Sequence, residues 1–403
     1  MSAKGFRSAG HPPSLLAALL HFDVSFMVWV LLGALGAYVA ADLELSSAQK
    51  GLMVAVPALG GAAFRLIIGA LADRVGIKRT GLVTLGLTLV PLAWGAFAGG
   101  SYGQVLGIGI LLGVAGASFA VALPLAGYWY PPEYRGLALG IAGAGNSGTL
   151  IAALAAPRIA EHVGWHTTFG LAAIPVTLAW VGFAFLAKEP PRPAREGASP
   201  AMRSASLRLL GEPDARWLSS FYLVTFGGFV GLTSYLPIFF VDRFGLSKVT
   251  AASFAALCAG AGSLLRPVGG ALADRLGGTR VLAGVLGAVG ALVAGLALLP
   301  PLGATVLLLF LVLGALGAGN GAVFQLVPER YPSRIGAVTG LVGAAGGVGG
   351  FVLPFALGSL EGSTGSFAAG FVALAAVAAV ASLTAVRRHR TWQETWDLEV
   401  AVA

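Results

Sequence analysis

Read in windows of about 19 residues, the chain alternates apolar stretches with short polar turns. Twelve stretches stand out, at roughly 22–41, 51–72, 80–99, 103–129, 136–160, 166–187, 217–241, 250–273, 280–299, 303–327, 335–360 and 366–386. Each is long enough to cross about 30 Å of hydrocarbon as a helix. None carries the every-second-residue alternation of a barrel strand. The pattern predicts an all-α membrane protein of twelve transmembrane helices. One long polar segment interrupts the rhythm, KEPPRPAREGASPAMRSASLRLLGEPDAR over 188–216, with six spans before it and six after. The expected organisation is an N-terminal six-helix bundle over 1–187, a cytoplasmic linker over 188–216, a C-terminal six-helix bundle over 217–386 and a cytoplasmic tail over 387–403.

The two halves repeat. Arg65 and the GALADRVG after it recur 201 residues later as Arg266 and GALADRLG. GLALGIAGAGNSG from Gly136 aligns with GAVTGLVGAAGGVGG from Gly336 at an offset of 200. The first match lies on the expected second and eighth helices, the second on the fifth and eleventh. Two parallel six-span repeats with a site at the midplane between them is the architecture expected of a secondary transporter.

Composition agrees: 57% of residues are hydrophobic and 10% charged, far from a soluble domain. The net charge of +8 does not point to nucleic acid. Its basic residues gather at the termini, in the 73–80 and 274–280 turns and in 188–216, which by the positive-inside rule sets both termini in the cytoplasm. The first span resembles a secretory signal, with Lys4 and Arg7 before it and Ala37 and Ala40 near its end. Its core is too long for one and more spans follow, so it reads as an uncleaved first helix. A single cysteine, Cys258, excludes an internal disulfide and a thiolate metal cluster. His11, His21, His162, His166 and His389 fall at span ends or in tails without metal-ligand spacing. No metal and no cofactor are expected.

The chemistry lies in two arginines. Arg65 and Arg266 each sit eight residues before an Asp-Arg pair, roughly 12 Å inside the helix end, too deep to reach the headgroups easily. A charge at that depth is costly and marks a functional site by default. Of the 17 acidic residues, only Asp23 is expected to lie deep in a span, so an anionic substrate is the natural counter-charge. The guanidinium suits a trigonal oxyanion: planar, forked and permanently charged.

With these residues in hand, the chain resembles the major facilitator superfamily. Gly69-Ala-Leu-Ala-Asp73-Arg74-Val-Gly76-Ile-Lys78-Arg79 is similar to its loop motif between helices two and three, with a second copy around Asp274 and Arg275. More specifically, the whole chain resembles the nitrate/nitrite porter family, which carries arginines in the second and eighth helices and glycine-rich signatures in the fifth and eleventh. The resemblance implies the major facilitator fold, with Arg65, Arg266, Asn146, Tyr222, Phe226 and Phe119 as substrate-binding residues. It implies a conformational role for the signature residues Gly143, Gly145, Gly148, Gly343, Gly346 and Gly347, and a gating role for Asp73, Arg74, Asp274 and Arg275. Two positions depart from the family pattern: a first-helix aromatic is replaced near Leu32, and Gly346 stands where the other repeat has Asn146.

For several of these residues a packing role is the alternative: an interhelical hydrogen bond for Asn146, core contacts for Phe119 and for Tyr222 with Phe226. The latter two share a helix face, from which they could sandwich a flat anion with the Tyr222 hydroxyl donating. Gly143-Ala-Gly145-Asn146-Ser147-Gly148 spells a dinucleotide fingerprint, but no strand precedes it; its glycines suit close, sliding helix contacts. The reading is secondary transport of nitrate and nitrite across the cytoplasmic membrane by alternating access, as an exchanger. Asp23 is the one group that would allow proton symport instead, and an oxalate/formate type of carboxylate exchanger is the other transport alternative. A membrane enzyme lacks a nucleophile with its base or a metal, and a transport-dead sensor is a further alternative. The expected partners are small inorganic anions and the lipid bilayer, not nucleic acid, and the expected working unit is a monomer.

Overall fold

The computed structural model describes residues 3–190, 209, 211–331 and 334–402, so most of the 188–216 linker lies outside the described residues. The first half runs α1 (Ala3–Ala9), α2 (Pro12–Trp29), α3 (Leu31–Ala34), α4 (Gly36–Asp42), α5 (Ser47–Val75), α6 (Ile77–Phe97), α7 (Tyr102–Gly116), α8 (Phe119–Tyr128), α9 (Pro132–Gly143), a 3-10 turn (Ala144–Ser147) and α10 (Gly148–Leu186). The second runs α11 (Pro213–Phe244), α12 (Lys248–Leu276), α13 (Gly278–Ala297), α14 (Leu302–Arg330), α15 (Ile335–Thr364) and α16 (Ala368–Val402).

Among the described residues, 11 helical stretches are long and apolar enough to cross a membrane. One of them, Leu137–Leu186, has 50 residues, about 75 Å if it were one straight helix and more than twice a bilayer core. Inside it Gly164 takes φ 79° and ψ 163°, a conformation glycine adopts without a Cβ clash. Two helices meet there, which restores the twelve spans expected.

The first span is corrected. It begins near Pro12, about ten residues before the apolar window, because Pro12 and Pro13 are good first-turn residues and His11 caps them: its Nδ1 accepts the Ser14 N–H at 3.1 Å. His21 therefore lies in mid-helix, fully buried, with Nε2 3.1 Å from the Thr84 hydroxyl, not at a span end. The expected fourth span is also broken, between Gly116 and Phe119.

The chain forms two compact units, Met1–Leu45 with Val56–Pro200 and Ser247–Ser253, and Ser46–Ala55 with Ala201–Leu246 and Phe254–Ala403. Within the first, α2 packs on α8, the 3-10 turn and α10, while α6 packs on α7 and α10. Within the second, α11 packs on α14 and α15, while α13 packs on α14 and α16. In both, the first long helix meets the fourth and fifth and the third meets the fourth and sixth, so the sequence repeat is a repeat of packing.

The loop motif has a backbone reason for its glycine. Gly76 (φ 107°) and Gly277 (φ 89°) turn the chain from α5 into α6 and from α12 into α13, at φ values that strain other residues. In the first unit the carboxylate that caps α6 is Glu189, whose two oxygens accept the Ile77 and Lys78 N–H groups at 2.8 and 2.9 Å. Of the motif aspartates, Asp73 is half-buried and Asp274 exposed.

Candidate anion site

In the first unit, the break between α7 and α8 sets the surroundings of Arg65. At a helix end the last carbonyls lack intrahelical donors, and Arg65 Nη2 donates to the Gly116 carbonyl at 3.1 Å. Phe119, first residue of α8, lies under the guanidinium at 5.7 Å. Arg65 is only 7% exposed, so the ring and the carbonyl supply much of the polarity that a buried cation requires. Phe119 itself meets Phe22 of α2 edge-on at 5.8 Å.

Asn146 sits in the 3-10 turn, 9% exposed, with its backbone carbonyl accepting the Thr149 hydroxyl at 2.8 Å. The turn lies against α2. A Cβ on Gly145 would come within 2.9 Å of Leu19 O and Asp23 N, and one on Gly148 would collide with Asp23 O. These two signature glycines therefore serve close helix approach. Gly143 does not: nothing lies within 4 Å of a Cβ there.

The second unit repeats the cation-on-ring arrangement with different partners. Arg266 on α12 lies over the Phe324 ring at 5.6 Å, and its Nη2 is 3.5 Å from the Tyr222 hydroxyl. Tyr222 and Phe226 stack at 4.9 Å with only 7° between planes, and Phe324 closes on Tyr222 edge-on at 4.9 Å. The expected sandwich does not form. A flat ion between two rings needs about 3.5 Å on each side, which the 4.9 Å spacing denies. The pair is one wall, and Gly346 backs it: a Cβ there would lie 2.6 Å from Tyr222 Cδ1 and 2.8 Å from Phe226 Cδ1.

Arg65 thus meets Phe119 in the first unit, and Arg266, Tyr222 and Phe226 come together in the second; Asn146 belongs to the same unit as Arg65. The sequence reading missed Phe324 and the Gly116 carbonyl. Phe324 carries a signal, since the 201-residue offset puts Asn320 at the place of Phe119 and Phe324 follows one helical turn later on the same face. Gly343 and Gly347 are buried on α15. Asp23 lies midway along α2, half-buried, and accepts the Ser147 hydroxyl at 2.6 Å.

Comparison with known proteins places the chain in a family. The Major Facilitator Superfamily profile matches residues 17–354. The chain is 34% identical over 378 residues to a nitrite extrusion protein of Bacillus subtilis, covering 93% of each. It is 37% identical over 380 residues to a probable nitrate/nitrite transporter, NarK2, of Mycobacterium tuberculosis, covering 92% of this chain and 95% of that one. With a probable nitrate/nitrite antiporter, NarK1, of Thermus thermophilus it shares 33% over 402 residues, 92% of this chain and 89% of that one. Among solved structures, a bacterial homolog of the human lysosomal transporter Spinster, in an inward-facing and occupied conformation, superposes with a TM-score of 0.74 at 20% identity, covering 98% of this chain and 99% of that chain; this likeness is one of fold. With a guanidinium set on a ring in each repeat, and relatives alike over nearly their whole length, the chain belongs to the Major Facilitator Superfamily and, within it, to the nitrate/nitrite porters.

Proposed function

We propose that this chain carries nitrate and nitrite across the cytoplasmic membrane by alternating access, exchanging one for the other, with Arg65 and Arg266 as the cationic contacts of the anion. The observation that carries the reading is the repeated guanidinium-on-ring station, Arg65 with Phe119 at 5.7 Å and Arg266 with Phe324 at 5.6 Å. A ring face steadies the cation in an apolar span by about 0.5–2 kcal/mol. It does not neutralise the charge, so the station keeps its pull on an anion. Asn146 adds an amide donor, and the Tyr222 hydroxyl a second. We read the chain as a carrier and not an enzyme, working as a monomer, with both termini cytoplasmic because its basic residues gather on that side.

Exchange follows from charge. Two guanidiniums are costly to reorient through hydrocarbon, and a bound monoanion lowers that cost, so the empty carrier returns slowly. The test is nitrate entry into proteoliposomes. Nitrite loaded inside should strongly accelerate it, an imposed pH gradient should have little effect, and formate and oxalate should compete poorly. Concentrative uptake into nitrite-free vesicles, driven by a pH gradient and lost in Asp23→Asn, would establish proton symport instead. Better transport of formate or oxalate than of nitrate would make the chain a carboxylate carrier.

A further inference from the structure

We infer that Asp23 is a positioning residue for the anion site, acting through Ser147 to hold the 3-10 turn that aims Asn146; this rests on Asn146 being an anion ligand, as proposed above. The observation is a change of helix type inside one span. α9 ends at Gly143, residues Ala144–Ser147 form a 3-10 turn, and α-helix resumes at Gly148. A 3-10 turn advances about 120° per residue against about 100° for an α-helix. By Asn146, its third residue, the accumulated rotation is roughly 60°, which displaces the side chain by roughly 3 Å, about the length of a hydrogen bond. The turn therefore decides where the amide points.

Short 3-10 segments have poorer hydrogen-bond geometry than an α-helix, and nothing in Ala-Gly-Asn-Ser demands one. The holding contacts come from α2. Asp23 Oδ1 accepts the Ser147 hydroxyl at 2.6 Å, next to the junction where the α-helix restarts at Gly148. The short distance is typical of a charge-assisted hydroxyl–carboxylate bond. Gly145 and Gly148 permit it, because a Cβ at either would strike the α2 backbone at Asp23. Asp23 is half-buried and Ser147 exposed, and the bond between them is exposed. The role of the carboxylate is that of an anchor and not of a contact to the transported anion, which it would repel.

The experiment compares Asp23→Ala, Asp23→Asn and Ser147→Ala in lipid nanodiscs, with two readouts. The first is amide hydrogen exchange over residues 144–148, which needs no anion. Asp23→Ala and Ser147→Ala should each accelerate it at least fivefold, while Asp23→Asn, which keeps an acceptor oxygen in place, should stay within twofold of the parent. The second is nitrate affinity. Asp23→Ala should weaken it about tenfold in the parent and less than twofold in an Asn146→Ala background, because the anchor acts only through that amide. Unchanged exchange in Asp23→Ala overturns the inference whatever the nitrate data show. So does a tenfold loss that persists without Asn146, or an Asp23→Asn variant as impaired as the alanine. A parent that binds no nitrate would instead overturn the transport reading, with the exchange comparison still deciding whether Asp23 holds the turn.

Discussion

Two single-methyl substitutions within the matched glycine signatures should give opposite outcomes. At Gly346 an added Cβ would lie 2.6 and 2.7 Å from Tyr222 Cδ1 and Cε1 and 2.8 Å from Phe226 Cδ1. Carbon atoms settle at about 3.5–4.0 Å, so the rings would have to retreat by about 1 Å. They have nowhere to go: Tyr222 is stacked on Phe226, closed by Phe324, and 2% exposed. Overpacking of this kind costs about 1–3 kcal/mol. Because the displaced ring carries the hydroxyl beside Arg266, Gly346→Ala should weaken nitrate binding by roughly 5- to 150-fold if that cost falls on the site. Gly143→Ala is the control. No atom lies within 4 Å of its Cβ and its φ of −65° is helical, so it should raise stability by about 0.4–1 kcal/mol and leave binding intact. Nitrate titration and thermal unfolding of the two variants in nanodiscs read both effects. Parental affinity in Gly346→Ala, or equal losses in both variants, would refute the argument.

Arg65→Lys and Arg266→Lys should each abolish nitrate transport while the protein still inserts, since lysine keeps the charge but loses the planar fork and its packing on Phe119 or Phe324; near-normal nitrate binding by either folded variant would count against the stations. Asn146→Ala should weaken nitrate binding by about 1.5–3 kcal/mol, the worth of one hydrogen bond to a charged group, as read by equilibrium titration; binding unchanged within error would return Asn146 to packing. The His11 cap should be pH-dependent. Burial and the nearby Lys188 hold its pKa below the ordinary histidine value, so the neutral ring that accepts the Ser14 N–H is fully present above about pH 6.5. Its contribution, about 0.5–2 kcal/mol, is lost as pH falls through the lowered pKa. Hydrogen exchange at residues 12–16 should accelerate in acid in the parent and stay flat in His11→Asn, which caps without titrating; acid-independent exchange in the parent would refute this.

The bilayer is why so much of the fold is legible in the sequence. A span has to be apolar over its whole length, so the windows find the helices, and a repeated Arg65 and Arg266 at matched places stands out against that background. What the windows miss is local. Pro12, Pro13 and His21 lower the average hydropathy, hiding the first ten residues of α2 although they are good helix-starting chemistry. The break after Gly116 leaves no mark in hydropathy, because Ala117 and Ser118 are as acceptable inside a helix as outside it, yet it frees the carbonyl that Arg65 uses. Glu189 was lost among the polar residues of the linker. The mutual stacking of Tyr222 and Phe226 depends on side-chain torsions that a four-residue spacing does not determine.

The departure at Gly346 has a physical meaning that the repeat alignment alone does not supply. The two units share one packing plan, the first long helix on the fifth, but they fill the matched place differently. In the first unit, glycines at 145 and 148 draw the backbone of the turn onto α2, and the side chain between them, Asn146, is a donor. In the second, α11 presents the Tyr222 and Phe226 rings to α15, and only a glycine at 346 leaves room for them. An asparagine at 346 would collide with the rings, and a glycine at 146 would leave the first unit without its amide. Each residue thus matches the neighbours of its own unit. The same helix pair is turned toward polar donation in one repeat and toward an aromatic wall in the other, with a guanidinium on a ring kept in both.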